Sequence, residues 1–364
     1  MLDILILLAA LVIILIGAEL FTNGIEWFGR KLQLAEGAVG SVLAAVGTAL
    51  PETMIPIIAI GFAGGGEATD AVGVGAILGA PFMLSTLAMF VTGVGVLFFR
   101  QRRATGDTMP VDTHVLTHDI RYFVFGYSIA VGAAFLPPMD PPVLKWVAAV
   151  VLIGMYIWYV KAHLEADAEV DADDLAPLRF RRLDRRAYRR DPVVPSLRVV
   201  NVQVLAALTC IVLGAFVFVG AVTDLAHQLG VDEALLALVI APIATELPEK
   251  FNSIIWVRQN KDTLALGNIT GAMVFQSAIP TVVGLVFAAD TWVVGQGSYV
   301  AFASAALALI ATAVIFIPAR RRGGLDAKHL LVGGAFYLGY LLFVIGLIAG
   351  VYGGGTVSDG TATA

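Results

Sequence analysis

Apolar residues run through this chain in blocks too long for a soluble core. A helix needs about 20 of them to cross the hydrocarbon layer of a bilayer. Ten blocks reach or approach that length, at approximately 2–27, 37–62, 70–99, 118–136, 142–161, 199–221, 234–257, 262–288, 292–317 and 328–352. Each predicts a membrane-crossing helix. The connectors between them alternate in character. Arg30 and Lys31 follow the first span, Arg100, Arg102 and Arg103 the third, Arg258 and Lys261 the seventh, and Arg320, Arg321 and Arg322 the ninth. The turns between these basic ones are rich in glycine, proline or acid, and 224–233 and 290–298 contain no Lys or Arg. The positive-inside rule assigns the basic turns to the cytoplasm. Both termini are then outside, segment 162–198 is cytoplasmic, and the two halves enter the membrane from opposite sides.

The halves are copies. A shift of 197 positions aligns residues 16–56 with 213–253 without a gap, pairing Gly17 with Gly214, Phe21 with Phe218, Thr48 with Thr245, Pro51 with Pro248 and Glu52 with Glu249. A shift of 192 then pairs Gly75 with Gly267 and Gly79 with Gly271. Five spans per copy is an odd number, so the second copy is inverted. The expected fold is an all-α polytopic membrane protein of about ten transmembrane helices in two inverted five-helix repeats. The first repeat is 1–161, the charged linker 162–198 and the second repeat 199–352, with a disordered glycine-rich tail at 353–364.

Composition agrees with this reading. Of 364 residues, 59% are hydrophobic and 14% charged, too few charges to cover a soluble protein of this size. The net charge of −5, with arginine far outnumbering lysine, fits a high-GC prokaryote. The one cysteine, Cys210, lies in an apolar run and is expected to be a core residue. The linker divides into acidic (165–174) and basic (179–190) stretches and reads as solvated. Histidines 114, 118, 163, 227 and 329 fall outside the spans or at their ends and read as surface residues without metal-ligand spacing. Walker loops, dinucleotide fingerprints and nucleophile elbows are absent from the sequence, so neither an enzyme nor a cofactor is expected, and no nucleic-acid partner.

The chemistry sits where lipid should be. Residues 48–52 read Thr-Ala-Leu-Pro-Glu and 245–249 read Thr-Glu-Leu-Pro-Glu, each within an apolar span. A carboxylate at that depth costs a few kcal/mol and normally faces a partner or a water-filled path. Positions i and i+4 share a helix face, which pairs Thr48 with Glu52 and Thr245 with Glu249. Proline lacks an amide hydrogen, so the carbonyls of Gly47 and Ala244 are expected to be released toward the same level. Carboxylates, hydroxyls and carbonyls are hard ligands suited to Ca2+ or Na+. Glu246 adds a third acid, and crowded acids make proton binding a competitor of the metal. Lys250 follows Glu249 but points about 100° away from it around the helix. Gln276 is a candidate ligand through its amide oxygen, and Asn268 a further one. The glycines four apart, Gly75 with Gly79 and Gly267 with Gly271, predict close helix packing near the pentads.

At these residues the chain resembles the sodium/calcium exchanger (cation/Ca2+ antiporter) family, as a divergent prokaryotic member. Gly47-Thr48-Ala49-Leu50-Pro51-Glu52 and Ala244-Thr245-Glu246-Leu247-Pro248-Glu249 match its first signature, and Gly267-Asn268-Ile269-Thr270-Gly271 the start of its second. Gly17-Ala18-Glu19-Leu20-Phe21 resembles its first-span motif. The resemblance implies two interlocked five-helix halves, Glu52 and Glu249 as the central ion ligands with Thr48 and Thr245 beside them, and exchange of Ca2+ for Na+ or H+ by alternating access. Several family oxygens are replaced here, by Ala49, Ala80, Leu84 and Ala272.

The expected function is therefore a secondary cation antiporter of the plasma membrane whose partners are inorganic cations and the lipid bilayer. A cation channel or uniporter with the glutamates as a selectivity ring is an alternative, as is a non-transporting cation sensor on the same fold. A paired-carboxylate enzyme fits less well, because the two acids share one symmetric setting whereas an acid and a base need different ones.

Overall fold

The computed structural model describes residues 2–32, 38–61, 67–137, 139–165, 175–183, 195–229, 246–295, 298–322 and 324–348. The long apolar blocks become helices: α1 (Leu2–Lys31), α4 (Glu67–Met83) continued by α5 (Met89–Phe99), α6 (Thr113–Gly132), α7 (Val143–Leu164), α8 (Leu197–Leu229), α10 (Asp262–Phe287), α11 (Tyr299–Arg322) and α12 (Ala327–Ile348). Among the described residues, seven helical stretches, within α1, α4–α5, α7, α8, α10, α11 and α12, are long and apolar enough to cross a membrane alone. The expected second span is instead broken into a π-helical turn (Val39–Ala44), α2 (Ala45–Thr48) and α3 (Leu50–Gly61). Of the seventh span, α9 (Leu247–Arg258) is described, while 234–245 lie outside the described residues, as do the tail 353–364 and most of the acidic stretch. The molecule is an all-α polytopic membrane protein built as two inverted repeats.

The inversion is visible in the packing of α1 on α8, the first helices of the two repeats. A Cβ placed on Gly17 would lie 2.9 Å from Ile211 and 3.1 Å from the Ala207 carbonyl; one on Gly214 would lie 2.8 Å from Ile14 and 3.3 Å from the Ala10 carbonyl. A shift of 197 carries Ala10, Ile14 and Gly17 onto Ala207, Ile211 and Gly214. Each glycine thus meets the repeat mates of the residues its own mate meets, as a two-fold axis requires. Gly24 meets Val204 and Gln203, so positions rise along α1 as they fall along α8. The helices are antiparallel.

The halves also interlock. α6 and α7 pack on α10 of the other repeat, and α11 and α12 pack on α4 and α5. α10 lies at the centre, buried without interruption from Leu264 to Ala278, whereas α7 leaves Val150, Ile157 and Trp158 exposed. A helix apolar all round belongs in the middle of such a bundle, and one with an exposed apolar side belongs against lipid.

Contacts between connectors separate two ends of the bundle. At one, Arg103 makes two buried bonds to Asp262, at 2.8 and 2.6 Å, and β1 (Thr108–Met109) pairs antiparallel with β2 (Leu325–Asp326). The basic connectors after the third, seventh and ninth spans are thereby joined. At the other end, Lys145 caps the carbonyls of Ala289 and Trp292, and the Trp292 indole donates to Ala130 O at 2.9 Å. The linker departs from expectation. Residues 175–183 are not simply solvated: Leu178 is buried, Trp27 donates to Ala176 O at 2.9 Å, and Arg179 reaches Glu19 at 2.6 Å. The buried indole N–H of Trp27 and the amides of Asn23 and Gln203 require partners, and this stretch of backbone supplies them.

Candidate functional site

The first pentad sits at a helix break. α2 ends at Ala49, whose φ of −82° and ψ of 1° leave the helical region, and α3 begins at Leu50. Pro51 is the second residue of the new helix, where a missing N–H leaves no bond unmade. Glu52 follows in the first turn and is buried. The break turns the carbonyl end of one short helix and the amide end of another toward one level, the arrangement by which broken helices receive ions inside a membrane. Thr48 Oγ1 donates to Ala44 O at 2.9 Å and lies 3.2 Å from Asn268 Oδ1. Gln276 Nε2 reaches Ala49 O at 3.4 Å. The structure therefore brings Asn268 and Gln276 of α10 against the first pentad, at Thr48 and Ala49.

The second pentad repeats the backbone. Glu246, the mate of Ala49, has φ −84° and ψ 1° and precedes α9, with Pro248 at its start. Thr53 N bonds Ala49 O, and Lys250 N bonds Glu246 O in the same way. α9 also comes within 8 Å of α2, Cα to Cα. The side chain of Glu249, with Thr245 and Ala244, lies outside the described residues. Glu246 is fully buried, with Oε2 2.8 Å from Lys250 Nζ and Oε1 without a hydrogen-bond partner among the described residues. Lys250, which turns away from Glu249 by helical geometry, closes instead on the acid one turn earlier.

α10 approaches this region through its glycines. A Cβ on Gly271 would stand 2.0 Å from Ser41 O, and one on Gly267 2.8 Å from Ser41 Oγ. The close packing expected of this pair is present. It is not seen at Gly75, where an added Cβ would meet nothing within 4 Å among the described residues. Ala80, Leu84 and Ala272 are buried and apolar, so α10, through Asn268 and Gln276, supplies polar groups that the first repeat lacks at the matching Ala76 of α4 and Leu84 just after it.

Comparison with known proteins bears on this arrangement. The sequence profile of the sodium/calcium exchanger protein family matches residues 2–163 and 200–348. The chain belongs to the sodium/calcium exchanger family. CaxA of Alkalimonas amylolytica, a candidate antiporter by name, is 26% identical over 339 residues, covering 92% of this chain and 97% of that one. An uncharacterized membrane protein of Methanocaldococcus jannaschii, MJ0091, is 21% identical over 290 residues, 77% and 80% of the two chains. The solved structure of the sodium-calcium exchanger NCX_Mj soaked with Na+ and Ca2+ superimposes with a TM-score of 0.65 at 17% identity, covering 96% of this chain and 98% of that one. At that identity the likeness shows the fold.

This member of the family carries buried polar groups that sequence reasoning overlooked. Asp119, fully buried on α6, accepts from Ser41 Oγ (2.9 Å), Thr270 Oγ1 (2.6 Å), Tyr159 OH (2.8 Å) and His163 Nε2 (3.1 Å). Four donors fill the lone-pair positions of one carboxylate. They tie the π-helical turn, α6, α7 and α10 together. The reading of the histidines as surface residues is corrected here: His163 is buried and held by Asp119 and the Tyr159 carbonyl, and His118 is half-buried against it. His227 lies outside the described residues in its side chain, and His329 is largely covered beside Asp326. Burial follows from pairing, since an intramembrane acid draws donors from each neighbouring span. The readable signal was the Tyr159/His163 pair, four apart on one span, opposite a lone Asp on the preceding span. Glu26 was also missed. It is buried and accepts from the Trp256 indole at 2.9 Å, while Asn252 donates to Thr22 at 2.7 Å, giving the α1–α9 seam a polar lining.

Proposed function

We propose that the protein is a secondary antiporter of the plasma membrane that exchanges a divalent cation, Ca2+, for Na+ or H+ by alternating access. Membership of the exchanger family supports inorganic cations as its substrates and the bilayer as its setting. The observation that carries the reading is the buried Glu52 at a helix break, one turn from Thr48 and Ala49, with Asn268 and Gln276 of the opposite repeat against them. A cation there would take oxygens from Glu52, Glu249, Thr48, Thr245 and Gln276, with Glu246, Asn268 and the carbonyls of Gly47 and Ala244 at hand. Hard oxygens at a broken helix suit Ca2+ and Na+. The two acids at symmetric positions allow one divalent ion to be replaced by monovalent ones. The polar seam of Thr22, Glu26 and Asn252 between α1 and α9 would offer hydrophilic groups to an ion approaching from one face. The repeats 1–161 and 199–352 would rock about that site, with the basic connectors and linker 162–198 in the cytoplasm and the termini outside.

The test is uptake of radiolabelled Ca2+ into proteoliposomes under imposed Na+ or pH gradients. Uptake should follow the trans gradient in wild type and vanish in Glu52→Gln and Glu249→Gln. Flux that ignores the gradient would instead identify a channel, and Ca2+ binding without flux a sensor.

A further inference from the structure

The geometry points to a second cation site, for a borderline transition metal such as Zn2+, formed by His118, Asp119 and His163. One ligand atom from each lies within 4.8 Å of the others. His163 Nε2 and Asp119 Oδ1 are already 3.1 Å apart, and the His118 and His163 ring centroids are 4.9 Å apart. A tetrahedral ion with bonds of about 2.0–2.2 Å holds its ligands roughly 3.3–3.6 Å apart, so the widest pair needs to close by at most about 1.5 Å and the nearest to open by a few tenths. The Tyr159 carbonyl, 3.1 Å from His163 Nδ1, fixes the ring with Nε2 toward the other ligands. Backbone carbonyls orient metal-binding histidines in this way. Asp119 Oδ2 is held by Ser41 and Thr270, which orients the carboxylate with Oδ1 on the histidine side. An ion would replace the proton between His163 Nε2 and Asp119 Oδ1, that proton leaving to solvent on the His118 side, while Tyr159 OH keeps its 2.8 Å bond to Oδ1. The cluster opens outward through half-buried His118 to exposed His114, stacked at 6.5 Å.

Two imidazoles and one carboxylate form a donor set for Zn2+, Co2+ or Ni2+. Ca2+ requires six to eight oxygens, so this site is distinct in chemistry from the one at Glu52. The sites are joined mechanically. Ser41 belongs to the π-helical turn that runs into α2 and the break before Glu52. A metal on Asp119 would stiffen that turn and slow any movement of the Glu52 segment, so the site is inhibitory. That last consequence rests on the transport reading; binding itself does not.

The experiment titrates metal-free, full-length protein in detergent with Co2+, read by visible absorption, and with Zn2+, read by calorimetry, against His118→Ala. His118 makes ring contacts without a side-chain hydrogen bond among the described residues, so the variant keeps the Asp119 network and should melt with wild type. Wild type is expected to take one Co2+ with a tetrahedral spectrum that excess Ca2+ leaves unchanged, and the variant to bind at least about tenfold more weakly. Micromolar Zn2+ should slow exchange in wild type and not in the variant. Equal binding by both proteins, or none by either, overturns the site and leaves Asp119–His163 a structural latch. Metal binding in a protein that shows no exchange would count against the transport reading alone.

Discussion

Replacing Lys250 by Met tests how the second pentad is balanced. Lys250 Nζ stands 2.8 Å from Glu246 Oε2, and the two side chains are 6% and 1% exposed. Met keeps the length and apolar stem and removes the charge. The carboxylate then has no ammonium, and its Oε1 had no hydrogen bond among the described residues to begin with. Breaking one side of a buried ion pair costs about 3–5 kcal/mol, whereas replacing both sides by neutral groups is close to neutral. For a chain of this size the loss is a fall in Tm on the order of 5 °C. The Glu246→Gln/Lys250→Met double variant should recover to within about 1 kcal/mol of wild type. A cation can also fill the vacancy. Lys250→Met should therefore be stabilised more than wild type by Na+ or Ca2+, and its exchange should depend more steeply on the counter-ion. The assay is thermal unfolding in detergent across an ion series, with proteoliposome flux on the same preparations. If the single variant melts with wild type, or the double variant is as unstable as the single, the pair does not balance this site and the argument fails.

Two further outcomes follow from packing and pairing. Gly271→Ala puts a methyl 2.0 Å from the Ser41 carbonyl; the backbone must move, at a cost of about 1–3 kcal/mol, and flux should fall with Tm, while Gly75→Ala, whose new Cβ meets nothing within 4 Å among the described residues, should leave both unchanged. Arg103→Met strands the buried Asp262 at about 3–5 kcal/mol, and adding Asp262→Asn should restore most of the lost Tm; a single variant that melts normally would show that the clasp between connectors contributes nothing.

The membrane class, the inverted duplication and both pentads were legible in the chain because each has a local signature. Apolar length reports a span, and a Thr-x-Leu-Pro-Glu motif recurring 197 residues later reports a copied unit. Even the matched contacts of Gly17 and Gly214 follow that shift. Tertiary structure alone decided which polar groups meet. Asp119 draws its four donors from three other helical segments, the π-helical turn, α7 and α10, and Gln276 reaches the first pentad from 227 residues away. A buried charge needs partners in space, and the interlocked repeats bring Thr270 to Asp119 and Gln276 to the first pentad from the opposite half, where no local pattern of residues records them.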